Sequence, residues 1–541
     1  MKRSSPNLHV GLLLLVSMIS MASGPDVARA RRSLPKQSFT WLPWAPESFA
    51  RAKAEGKLIL VDGTAVWCHW CHVMDETTYR DPSVGQLLAA RFVTIRFDGD
   101  QRPDLAERYS DFGWPATIVL SADAEELGKY RGYLPPEELK RLLARVQEER
   151  TDVALEPTRG FESFPAPTGA LGWLGAQVIH ELDTSFYDEE QGGWGFRRKT
   201  PISANAEFEV RRLAHGDLTA KKRALFSLSQ QGALIDPVWG GLSQYSAAQD
   251  WRAPHFEKLM TYQAAAIEAY ARAFAVTADE SMLARSKQLA HYLELFLTSP
   301  DGTFFTSQDA DLNGGESNRP FLDGHAYYAK TDASRRALGV PAVDRHVYAR
   351  ENALAISALI TLYEVTHERT FLDRARAAAD GVMRTHLDAQ GSVRHQAAGT
   401  EPLFLADAAA LGRALVQLAS ATGEARYRLA AVEVARAVWR DFSDGAPGLF
   451  DTAVDPSATG AFARRQKSFV QNVSAGRFLA LLGALVADPV WIERAQGLLA
   501  SVSTPALLKA QGPWLGDYLL ALDDANAVKW PPTEGGSKAH L

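Results

Sequence analysis

Cysteine is nearly absent from this chain. Its 541 residues contain two, Cys68 and Cys71, so no disulfide scaffold ties distant segments together and packing has to supply the stability. Charge of one sign is also scarce. Lys and Arg number 58 against 64 Asp and Glu, a formal net charge of −6, and no dense basic block interrupts that balance. Both features argue against a nucleic-acid binder dominated by phosphate contacts. Beyond the N-terminus no run is expected to be a membrane span, and no cysteine near the start can carry a lipid. What is present is ample core material: 46% hydrophobic and 23% charged residues exclude global disorder. The length exceeds what one ordinary core serves and predicts roughly two to four domains.

The first thirty residues read as an export signal. Lys2 and Arg3 open it, Val10 to Ala22 is apolar, and Ala28-Arg29-Ala30 has the small-x-small form of a cleavage site. The expectation is a signal peptide over 1–30 and an exported, periplasmic or extracellular protein with no membrane span after its removal. An uncleaved signal anchor is the alternative, because the Ala-Arg-Ala site lies past the apolar stretch.

The two cysteines sit three apart in Trp67-Cys68-His69-Trp70-Cys71-His72, directly after Leu58-Ile59-Leu60-Val61. A pair so close serves reversible disulfide chemistry or half of a metal site, and either use needs thiolate. Leu58 to Asp62 has a buried-strand pattern, and Cys71 to Tyr79 can begin a helix. The thiols therefore stand at a helix start, where unpaired N–H groups and the helix dipole favour thiolate, and protonated His69 and His72 act in the same direction. A zinc site drawn from Cys68, His69, Cys71 and His72 would crowd four ligands into five residues, against tetrahedral geometry, with no second Cys/His cluster to complete it. No metal and no cofactor are expected. Downstream, a helix over Pro82 to Arg91, strands over Phe92 to Phe97 and Thr117 to Leu120, and a helix over Pro135 to Glu149 imply an α/β layer. Pro115 stands just before the second of those strands, where a cis bond can turn the backbone toward the thiols.

These residues resemble the thioredoxin superfamily. Asp62 lies six residues before Cys68, Pro115 matches the family's cis-proline, and Gly132 matches the turn after its last strand. The resemblance narrows to the spermatogenesis-associated thioredoxin-like family through Cys68 to Met74, the acidic segment Asp98 to Asp104, and Gly113-Trp114-Pro115. It implies that Cys68 is an exposed attacking thiolate, Cys71 the resolving thiol, Asp62 a buried proton relay and Pro115 the residue shaping a docking surface. Trp67, His69, Trp70 and His72 would flank them. It also implies that the thioredoxin-like domain, 31–150, precedes a large helical domain similar to six-hairpin glycosidases.

The rest of the chain fits that order. Residues 151–170 carry Pro157, Pro165 and Pro167 without a clear period and read as a linker. Helical patterns then run from Leu171 nearly to the end, among them Leu259 to Val276, Asn352 to Thr366, Asp407 to Ala421 and Phe469 to Ala487. A weak repeat joins helix pairs through short links and glycine-bearing returns, Asp301-Gly302-Thr303-Phe304 for one. Periodicity does not separate a closed ring from an open solenoid. The family resemblance implies an (α/α)6 toroid over 171–522, leaving 523–541 as a mobile tail. Within the toroid, Asp236 to Leu242, Pro254 to Leu259 and Ser307 to Asp311 resemble family motifs, whereas Arg197 to Pro201 and Tyr348 to Leu354 depart from them. His255 and Glu257 read equally as a helix start or as ligand-lining groups, and Asp309 and Asp311 as a solvated turn or as ligand-lining groups. Expected partners are client thiols and disulfides or a redox protein. A carbohydrate ligand of the toroid, and a scaffold that presents a client to the thiols, are the alternatives.

Overall fold

The computed structural model describes residues 37–109, 113–149, 166–314 and 319–528. The expected signal peptide and cleavage site lie outside the described residues.

The N-terminal domain is built around one central strand. Strands β1 (Leu42–Pro43), β2 (Leu58–Thr64), β3 (Phe92–Asp98), β4 (Ala116–Leu120) and β5 (Glu126–Arg131) form a sheet in the order β1-β3-β2-β4-β5. β2 runs parallel to β3 and antiparallel to β4. Its near-continuous apolar run is explained by burial on both faces. Ile59 and Val61 pack with Val93, Ile95 and Phe97 on one side, and Leu60 packs with Met74, Leu88 and Leu143 on the other. Helices α1 (Pro46–Glu55), α2 (His69–Thr77), α3 (Pro82–Arg91), α4 (Pro103–Arg108) and α5 (Pro136–Glu149) cover the faces. α3 begins where its sequence signals it: Asp81 Oδ1 accepts the N–H groups of Ser83 and Val84 at 2.9 and 3.0 Å, and Pro82 occupies the first turn.

The helical domain is a closed ring. Its inner helices are α7 (Ser203–Ala214), α9 (Met260–Thr277), α11 (Ala349–Thr366), α13 (Leu405–Thr422), α15 (Phe469–Val486) and α17 (Gly516–Asp524), each packed on the next, with α17 returning to α7. The outer partners are α6 (Leu171–Glu181), α8 (Thr219–Gln231), α10 (Glu280–Phe296), α12 (Arg369–His386), α14 (Ala425–Phe442) and α16 (Pro489–Val502), and α6 pairs with α17 across the seam. Ring closure thus settles what periodicity leaves open. α15 is long and apolar enough to cross a membrane, yet two thirds of it is buried as an inner helix of the ring. Asp523 and Asp524, expected in a mobile tail, belong to α17 and ion-pair with Arg211.

The weak repeat has a structural cause. In three hairpins an amide side chain on an inner helix clamps the backbone of a return loop. Gln263 exchanges two hydrogen bonds with the N–H and C=O of Leu242, Asn352 does so with Phe304, and Asn472 with Leu449, all between 2.7 and 2.9 Å. Each pair mimics a rung of β-ladder and satisfies a buried loop segment.

The two domains are joined by backbone as well as side chains. Ala461 N–H donates to the Ala124 carbonyl at 3.0 Å, and Phe462 sits edge-on to Trp44 with ring centroids 4.6 Å apart. At Gly460, φ is +55°, and a Cβ would lie 2.4 Å from the Asp123 carbonyl oxygen. Only glycine allows so close a junction.

Candidate functional site

The disulfide caps a helix. Cys68 has extended backbone angles as the N-cap of α2, and its Sγ accepts the Cys71 N–H at 3.1 Å. Helix α2 therefore starts at His69, two residues before the sequence pattern suggests, because Cys68 itself serves as the cap. Cys68 and Cys71 form a disulfide with Cα atoms 5.3 Å apart. The Trp114–Pro115 peptide bond is cis, as the thioredoxin resemblance implies, and Trp114 packs against the cysteine cluster. Trp67 donates its indole N–H to Asp100 at 2.8 Å, fixing the loop before Cys68.

Asp62 stands in the middle of β2 and is 1% exposed. Burial pushes its carboxyl up to about 6, although Arg96 opposes that rise. Tyr79 donates to one carboxylate oxygen at 3.0 Å and Arg96 pairs with the other at 2.7 Å. Arg96 also pairs with Asp75 of α2 and stacks on Trp41, with its guanidinium carbon 4.4 Å from the ring centroid. Asp62 is thus a proton-holding group tied to α2 through Arg96 and Asp75.

Cys68 is not exposed. Cys68 and Cys71 are 3% and 4% accessible, because Leu259 of the helical domain packs on them with Ala65 and Trp67. The attacking thiol inferred from the thioredoxin resemblance lies under a second domain, which sequence patterning of the first domain does not register.

That cover is built from the motifs singled out in the helical domain. Asp309 and Asp311 are each 1% exposed, so they are not a solvated turn. Asp311 Oδ2 meets His69 Nδ1 at 2.6 Å, and its Oδ1 accepts the Gly324 N–H at 2.8 Å. Asp309 Oδ1 lies 3.7 Å from His72 Nδ1. Burial works against a charge on His69, but the Asp311 carboxylate outweighs it and raises the imidazole above its usual range. His72 is lowered by burial. Asp309 is raised well above the ordinary carboxylate range by burial and by its neighbour Asp311. His255 and Glu257 precede α9 and do not start it: His255 lies in a two-residue strand, stacks on Tyr245 at 4.3 Å, and faces the His69 ring at 6.3 Å. Glu257 Oε1 lies 3.8 Å from His255 Nδ1. The candidate residues of the toroid therefore converge on His69 and His72.

A second seam lies on the other flank of the disulfide loop. His395 donates its Nε2–H to the Asp100 carbonyl, 2.8 Å away, while its Nδ1 faces Asp407 at 3.0 Å. Burial works against a charge on His395, but Asp407 prevails and raises it to about 8. Asp98 is raised by burial, and Asp100 is raised well above its ordinary range by burial and by Asp98. Asp98 and Asp100 lie in an acidic segment that the sequence flags only as a motif without a role. His395 and Asp407 carry no local signal at all, since their spacing is set by the loop between α12 and α13.

The ring has its own cavity of about 360 Å³, lined among others by Glu207, Glu268, Arg350, Arg413, Arg477 and Asp517. Its carboxylates are heavily paired: Arg477 with Glu207 at 3.1 Å and Arg413 with Glu268 at 2.5 Å. Burial would raise Glu207, yet Arg477, Arg272 and Arg211 hold it down at about 2.

Residues 31–151 match the family Thioredox_DsbH, described as a protein of unknown function, DUF255. Spermatogenesis-associated protein 20 of Homo sapiens is 30% identical over 331 residues, which are 54% of this chain and 41% of that protein. The match to that protein extends past the thioredoxin-like domain into the helical one, and this chain spans about two fifths of the length of the relatives it matches. The helical part is similar in fold to the crystal structure of D-mannose isomerase, at 13% identity, a TM-score of 0.48, and coverage of 63% of this chain and 87% of that one. A family 76 glycoside hydrolase (mannosidase) from Bacteroides thetaiotaomicron is similar at 10% identity and a TM-score of 0.48, covering 66% of this chain and 99% of that one. A thioredoxin-like domain is seated here on a closed ring of helical hairpins.

Proposed function

We propose that the protein is an exported thiol-disulfide oxidoreductase that uses Cys68 and Cys71 as its reversible couple. The observation that carries this reading is Cys68 Sγ held at the N-terminus of α2, accepting the Cys71 N–H beside the cis-Pro115 loop. A sulfur in that position is stabilised as thiolate by the amide and by the helix dipole. In the reduced protein, the Cys68 thiolate attacks a partner disulfide, forming a mixed disulfide and releasing one partner thiolate. Cys71, after losing its proton, attacks Cys68 Sγ, closes the internal disulfide and releases the second thiolate. Two electrons pass to the partner, and the reverse sequence reduces Cys68–Cys71 at the expense of a dithiol. Asp62 is the buried group able to hold a proton near neutral pH during this exchange. The partner gains the sulfurs when the His69–Asp311 cover lifts. Redox titration with alkylation and mass spectrometry tests the proposal. Cys68 and Cys71 should cycle together between thiol and disulfide, and Cys71→Ser should trap a mixed disulfide at Cys68. Cysteines that stay oxidised at every potential would refute it.

A second reading, carbohydrate binding in the ring, is favoured by the cavity that holds Glu207, Glu268 and Asp517. Arginine pairing suits binding more than hydrolysis there, because a glycosidic acid has to keep its proton and Glu207 is held ionised. Calorimetry of the full chain with mono- and oligosaccharides tests it, and absence of heat at millimolar sugar would count against it.

A further inference from the structure

A histidine of α2 and two carboxylates of the ring meet at one buried point. His72 Nδ1 and carboxylate oxygens of Asp309 and Asp311 all lie within 4.8 Å of one another. His69 Nδ1 is 2.6 Å from Asp311 Oδ2 on the same side. The His69–Asp311 contact is an ordinary hydrogen bond. His72–Asp309 is not: at 3.7 Å it is too long for one. His72 Nδ1 is buried with no hydrogen-bond partner. Two ligands bound at about 2.1 Å to one tetrahedral ion stand about 3.4 Å apart, close to that separation.

Independent features point the same way. Glu257 is 3% exposed and its Oε2 has no hydrogen-bond partner, while its other oxygen faces His255, whose ring in turn faces His69. A buried carboxylate oxygen without a donor is costly unless a cation offsets it. Gly314 closes the other side. A Cβ there would stand 2.5 Å from His72 Nδ1 and 2.8 Å from Asp309 Oδ2, so a glycine preserves space against these two atoms.

We propose that this point binds one divalent transition-metal ion of the zinc class, held by His72, Asp309 and Asp311. Imidazole and carboxylate together suit zinc and its neighbours better than calcium or magnesium, which take all-oxygen sets. One ligand comes from α2 and two from the loop after α10, so the ion cross-links the domains beside the disulfide. This site needs neither sulfur as a ligand.

The test uses the tag-free full chain with its disulfide intact, stripped with chelator and titrated with Zn²⁺ by calorimetry and with Co²⁺ by absorption. One equivalent should bind, and Co²⁺ should give the intense visible bands of a tetrahedral site. His72→Gln and Asp309→Asn should each weaken binding at least tenfold. Gly314→Ala retains every ligand and should do the same by filling the space, which keeps the test decisive if a ligand variant misfolds. A Cys68→Ser, Cys71→Ser double variant should bind as the wild type does, separating this result from the fate of the redox reading. No saturable uptake, or equal affinity in folded His72→Gln, Asp309→Asn and Gly314→Ala, would overturn the proposal.

Discussion

Replacing Asp62 by Asn tests whether the buried carboxyl under α2 carries its proton at ordinary pH. The substitution keeps the shape of the side chain and removes its titration. In the folded chain burial raises this carboxyl from 3.8 to about 6, so the folded state binds the proton more tightly than the unfolded state. The linked stability is fully present below the unfolded value and is lost as pH rises through about 6. The difference between those two values corresponds to about 3 kcal/mol. Urea unfolding of oxidised wild type and variant, at steps from about pH 4 to about pH 8, isolates the effect because every other group cancels in the difference. The variant should gain on the wild type across the interval between 3.8 and about 6 and hold a constant advantage above it. A difference that stays flat with pH, or that shrinks as pH rises, would refute the argument and leave the Arg96 pair as the dominant influence on Asp62.

Three further outcomes are expected. Asp311→Asn in metal-free protein removes a charge-assisted contact to His69, of roughly 1.5–3 kcal/mol, so reduction of the disulfide by dithiothreitol should accelerate roughly 10- to 100-fold; an unchanged rate would show that the loop does not gate access. His395 is held charged by Asp407 up to about 8, so the stability it contributes is present below its unfolded value of 6.5 and lost as pH rises through about 8. The destabilisation caused by His395→Asn should therefore shrink by about 2 kcal/mol over that range, read from unfolding curves. Lys258 is fully buried, and burial lowers it to about 7, so its cost to stability is greatest below about pH 7 and fades toward its ordinary 10.5. Lys258→Met should stabilise the chain most in that acidic range, measured by thermal unfolding, and a larger gain at alkaline pH would contradict the assignment.

The parts of this structure legible in the sequence are those whose cause is local. The strand-loop-helix around Cys68 follows from an apolar run and a cap, and α14 matches its pattern to the residue because one face is apolar and the other charged. Helix α7 is invisible to the same reasoning. It buries Asn205, Glu207, Glu209 and Arg212 inside the ring, so its core face is polar and the hydrophobic period is broken. The candidate residues behave alike. Cys68, Cys71 and Pro115 stand out by motif, whereas the burial of both sulfurs and the meeting of His69 with Asp311, 242 residues apart, depend on how two domains dock. His395 and Asp407 escape notice for that same reason.

The seam between α6 and α17 has a consequence for biosynthesis. A ribosome releases the thioredoxin-like layer early, but the helix that completes the toroid is encoded by residues 516–524, and α7 lacks its neighbour across the seam until those residues emerge. The growing polypeptide must therefore tolerate an incomplete ring for most of its synthesis, and a premature stop shortly before Gly516 should release an open horseshoe whose buried arginines Arg211 and Arg477 have lost Asp523 and Asp524.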